Sequence, residues 1–77
     1  MVHDYFEIRD INCKIVVGCF SVIAFFSQER YFDYDSWKRY VLRKGLAILR
    51  EKNLNPKCFE LHEIDKERFV ENYWWML

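Results

Sequence analysis

The sequence holds few residues that break regular structure: one proline and two glycines among 77 positions. A disordered chain or a low-complexity tail is excluded, because 52% of positions are apolar and a core can be built. Net charge is missing as well. Twelve Lys/Arg balance twelve Asp/Glu, for a sequence pI of about 6.7, which excludes a globally basic nucleic-acid coat and an acidic mimic of DNA.

Cysteine is scarce too. Cys13, Cys19 and Cys58 are odd in number and form no C-x-x-C pair, so neither a complete disulfide framework nor a zinc pattern is written in their spacing. The early residues Asp4, Glu7 and Asp10 are acidic where a secretory signal would be basic. Free thiols in a reducing compartment, hence a cytoplasmic location, are the expectation. The uncharged run Ile15 to Phe26 spans about 18 Å as a helix, short of the ~30 Å hydrocarbon core. No membrane span is expected.

Aromatics, by contrast, are abundant, at 19% of the chain. At roughly 200 Å² each they offer more apolar area than a core of this size readily hides. Either large side chains fill the small core, or a second chain covers some of them. At this length residues 1–77 form a single domain.

Along the chain, Tyr5-Phe6-Glu7-Ile8-Arg9 alternates and reads as a half-buried strand, with Phe6 and Ile8 inward and Glu7 and Arg9 outward. Asp10-Ile11-Asn12 has turn chemistry and predicts a hairpin into the next segment. That segment, Cys13 to Ser27, is apolar at odd and even positions alike. Its β-branched cluster Ile15-Val16-Val17 favours a strand, with Gly18 marking a bulge, while a buried helix gives the same run. Tyr31-Phe32-Asp33-Tyr34 offers a short further strand. A helix follows from about Asp35 to Asn53, capped by Asp33, Asp35 or Ser36 and stopped at Asn53-Leu54-Asn55-Pro56. Phe59 to His62 alternates as a strand, and Asp65 caps a last helix from Lys66 to about Met76.

The expected architecture is α+β: a small antiparallel or mixed sheet of three to four strands with two helices on one face, in the order β-β-(β)-α-β-α. A second strand apolar on both sides then leaves one sheet face needing cover. A second copy, as a homodimer, or another partner would supply it.

Charge is uneven beneath the neutral total. From Ser36 to Lys57 seven bases face one acid, a surplus of six balanced by an equal acidic excess elsewhere. On a helical wheel from Trp37, Arg39, Arg43 and Arg50 fall at about 200°, 240° and 220°, one ridge of guanidiniums suited to phosphates or carboxylates. A solvated face, partly paired with Glu60, Glu63 or Asp65, explains the same ridge. In the last helix Trp74 lies at the edge of the apolar side and Trp75 on the polar side, where it is either a frayed end or an interface anchor.

His3, His62 and the cysteines are scattered, no glycine-rich phosphate loop exists, and no carboxylate pair has acid–base spacing. Neither a cofactor nor catalysis is expected, although a small enzyme or enzyme subunit is not excluded by composition. The expected function is a small interaction module, an inhibitor, adaptor or accessory subunit of the kind viruses and mobile elements encode. Its candidate binding residues are Arg39, Arg43, Arg50, Trp74 and Trp75. Nucleic-acid binding through the arginine ridge is the alternative.

Overall fold

The middle strand of the sheet is the first in the chain. A computed structural model describes residues 2–25 and 33–73. In it β1 (His3–Asp10) pairs antiparallel with β2 (Val16–Ile23) on one side and β3 (Phe59–Ile64) on the other. The sheet order is β2-β1-β3. Helix α1 (Tyr34–Glu51) joins β2 to β3, and α2 (Lys66–Tyr73) follows β3 after the single residue Asp65. This is the α+β class and element order expected.

Each boundary has a local cause. Asp10 closes the first hairpin: its side chain accepts from the Asn12 and Cys13 N–H groups at 2.8 and 3.1 Å, and Lys14 takes a left-handed φ of 62°. The pairing steps from Ile8↔Gly18 to Arg9↔Val16, so Val17 is the extra residue of a bulge beside Gly18. Residues 13–15 belong to the turn, and β2 is a strand rather than a buried helix. Asp33 caps α1 by accepting from the Ser36 N–H at 2.7 Å, and Tyr34 is already helical. The short strand expected at 31–34 is therefore absent at Asp33 and Tyr34, while Tyr31 and Phe32 lie outside the described residues. At the other end Asn53 adopts φ 57°; Asn53 N–H bonds Arg50 O and Leu54 N–H bonds Leu49 O. This is a Schellman stop, with Leu54 packed back onto the core. Asp65 caps α2 through the Arg68 N–H at 2.7 Å.

The two helices lie on opposite faces of the sheet, not together on one. Phe6, Ile8, Phe20 and Val22 point to α1 and pack with Trp37, Val41 and Leu49. Cys19 and Ile64 point the other way and pack with Phe69 of α2, with Tyr5 and Tyr73 beside them. The reason is steric and immediate. Ile64 ends β3 on the second face, and the one-residue link turns α2 onto that face before the chain can cross the sheet edge. The face thought to need a second chain is thus covered within the protein, and Glu7, read as outward, is fully buried there.

Both glycines sit where α1 meets the sheet. A Cβ at Gly18 would lie 3.0 Å from Ile48, and one at Gly45 would lie 2.9 Å from Leu61. Their lack of a side chain lets helix and sheet approach closely.

Candidate interaction surface

Helix α1 sorts its residues by angle. Trp37, Val41, Gly45 and Leu49 form the buried stripe, and the Trp37 indole N–H donates to the Ile23 carbonyl at 3.0 Å. Arg39, Arg43 and Arg50 lie diametrically opposite that stripe and are exposed. With a rise of 1.5 Å per residue, their Cα atoms are spaced by about 6 and 10 Å along the axis. Leu42 and Leu46 lie beside the ridge on the side facing β3, and Leu42 is 49% exposed. Leu42 therefore belongs to the surface despite its apolar side chain.

Among the described residues, the acids make no close ion pair with this ridge. Glu60 is engaged with Lys14 at 3.4 Å and His62 at 2.7 Å, and hydrogen bonds from His62 hold its carboxyl below the ordinary value. Asp65 caps α2. Among the described residues, no carboxylate lies within ion-pair distance of Arg39, Arg43 or Arg50. Trp74 and Trp75 lie outside the described residues.

A second polar cluster went unseen in the sequence. Glu7 is fully buried between β1 and α2. Its carboxylate accepts from Arg9 at 3.1 and 2.7 Å, from Arg68 at 3.2 Å on each oxygen, and from the Tyr73 hydroxyl at 2.6 Å. Burial pushes the Glu7 carboxyl up, but the bonds from Tyr73, Arg9 and Arg68 outweigh it and leave the group below its ordinary value. Burial and the Glu7 charge push the Tyr73 phenol up to about 12. The neighbouring Cys19 thiol is raised by burial and by Glu7, so it stays protonated and is a poor nucleophile. A carboxylate saturated by donors has no lone pair for a substrate or proton. Its work is to fasten α2 to the sheet.

His62, Glu60 and the remaining cysteines do not assemble further. Among the described residues, no group of three or more His, Cys, Asp or Glu is placed to hold a metal ion. No described helix is long and apolar enough to cross a membrane. The described surface includes an apolar groove of about 380 Å³ at β2, between Ile48 and Tyr73, and another of about 270 Å³ between α1 and β3, walled by Leu42, Leu46, Leu49, Pro56, Phe59 and Leu61. No family model, curated protein or solved structure matches the chain. The functional reading therefore rests on the surface itself.

Proposed function

We propose that the protein is a small interaction module that docks the outer face of α1 against an acidic surface of a larger protein. The observation that carries this reading is the ridge of Arg39, Arg43 and Arg50. It is exposed, aligned opposite the buried stripe and unpaired with any carboxylate of the described chain. Planar guanidiniums at such spacing engage carboxylates bidentately and orient the encounter. Exposed Leu42 on the flank supplies an apolar contact that a protein surface uses and a phosphate backbone does not.

The test is affinity capture from the native host with the wild type and with R39E/R43E/R50E, each with and without nuclease. A protein partner retained after nuclease and lost with the triple variant supports the proposal. A partner lost on nuclease treatment, with binding that weakens steeply as salt rises, assigns the ridge to nucleic acid instead. Unchanged capture by the triple variant removes the ridge from function altogether.

A further inference from the structure

The two edges of the sheet are finished differently. On β2, the Ser21 carbonyl accepts from Lys44 Nζ at 3.1 Å and the Ile23 carbonyl from the Trp37 indole at 3.0 Å. Side chains of α1 therefore reach over that edge. On β3 no described residue covers the outward backbone. The bond from Ile11 N–H to Cys58 O at 3.0 Å sets the phase of the β1–β3 ladder. Glu60, His62 and Ile64 then turn their backbone groups toward β1, and Phe59, Leu61 and Glu63 turn theirs outward. The Phe59 N–H is taken by the Pro56 carbonyl. Among the described residues, nothing pairs with the Phe59 carbonyl or with the N–H and C=O groups of Leu61 and Glu63.

We propose that a second copy of this chain pairs with that edge, β3 against β3 antiparallel about a two-fold axis through Leu61, giving a continuous six-stranded sheet. The choice of partner comes from self-complementarity. Centred on Leu61, the register sets Glu60 opposite the partner's His62, and His62 opposite the partner's Glu60. These are non-hydrogen-bonded positions, where side chains come closest. Centring on Glu60 would set two glutamates face to face, and centring on His62 would set two imidazoles face to face with Glu60 opposite the partner's Ile64. The Leu61 register avoids both like pairs, while setting Phe59 opposite the partner's Glu63. Charges that repel an arbitrary strand thus become complementary in one register.

Most of the open backbone groups find partners as well, and the Glu63 carbonyl, whose counterpart Phe59 N–H is already bonded to Pro56, stays with solvent. The two Leu61 residues bond reciprocally, and each Glu63 N–H meets the partner's Phe59 carbonyl. On the α1 side, Leu61 joins Leu42 and Leu46 in the groove of about 270 Å³, and the axis brings two such leucine sets together. On the α2 side, the half-exposed His62–Glu60 pair at 2.7 Å becomes an alternating cluster of four. The three arginines take no part, although Leu42, on the flank of the proposed docking face, also lines this groove.

Sedimentation equilibrium of the full chain from low micromolar to submillimolar concentration tests it, read with amide exchange by NMR. The expected result is a mass rising from 9.6 kDa to twice that value. The Leu61 and Glu63 amides should slow at least roughly tenfold over the same range, since outward N–H groups of a monomer exchange freely. E63P removes an N–H that the monomer's ladder does not use, a place where an edge strand tolerates proline. It should keep its circular dichroism and stay at 9.6 kDa, whereas R39E/R43E/R50E should dimerise like the wild type. A chain monomeric throughout overturns the proposal and leaves the edge to a strand of a different protein. A dimer whose Leu61 and Glu63 amides exchange as fast as at high dilution overturns it equally.

Discussion

The sheet is covered by two helices that hold on in opposite ways. On the α1 face the contact is mainly apolar, with Trp37 at its centre: its ring lies 6.4 Å from Phe6, 6.4 Å from Phe25 and 5.5 Å from Tyr34, and hydrogen bonds from Trp37 and Lys44 to β2 carbonyls lie only at its rim. On the α2 face one buried residue of the helix, Phe69, sits 4.7 Å from the Tyr5 ring, and the rest of the fastening is the Glu7 network. Eighteen residues of α1 bury a long stripe, whereas among the eight described residues of α2 only Phe69 is buried. The described part of α2 compensates with direction, because a carboxylate that accepts from one strand and two helix side chains fixes both position and rotation.

That contrast can be broken from either side. Trp37→Ala should cost the most, about 3–5 kcal/mol, and because α1 carries the main core the loss is global. Thermal unfolding followed by near- and far-UV circular dichroism should fall together. Glu7→Gln removes a buried charge from between two guanidiniums and should cost about 3 kcal/mol. Its signature is local: native-state hydrogen exchange should show the α2 amides opening before those of β1 and α1. Simultaneous loss of protection in α2 and α1 would show that the two faces are not separable.

Acid sharpens the comparison further. The folded Glu7 carboxyl lies below its ordinary value of 4.5, so its contribution is present above that value and is lost as pH falls through the lower folded one. Wild-type stability should therefore drop below about pH 4.5, and Glu7→Gln should flatten that dependence in urea titrations across acid pH. Tyr73 works in the reverse sense. Its folded value near 12 lies above the ordinary 10, so its contribution persists up to pH 10 and disappears as pH rises toward 12. Tyr73→Phe should remove that alkaline loss. The smallest effect belongs to the outer ridge: R39A/R43A/R50A should shift stability by less than about 1 kcal/mol, as surface charges without partners do. A larger loss would make the ridge part of the fold.

Much of this architecture was legible locally. Asp10, Asp33, Asn53 and Asp65 each mark a boundary through bonds to backbone groups within a few residues, and such signals lie on the page of the sequence. The face chosen by α2 did not. Strand periodicity separates Phe6 and Ile8 from Glu7 and Arg9, yet does not say whether the polar set meets water or a helix. The partners of Glu7 lie 61 and 66 positions away, in Arg68 and Tyr73, beyond any local pattern. One signal was present: β2 is apolar on both sides, and Cys19 is the residue across from Glu7, so a covered Cys19 implied a covered Glu7. The arginine ridge was legible because a helix wheel needs only spacing. That Glu60 and Asp65 are engaged with other groups depends on contacts made by the folded chain.

Gly45 has a reach beyond packing. The backbone of α1 comes so near Leu61 there that an added Cβ would stand 2.9 Å from its methyl group. Close-packed atoms transmit displacement instead of absorbing it. No slack therefore separates the helix that carries the arginines from the side chain at the middle of β3. The basic ridge and the strand edge, which share no residue, are the two ends of one short rod.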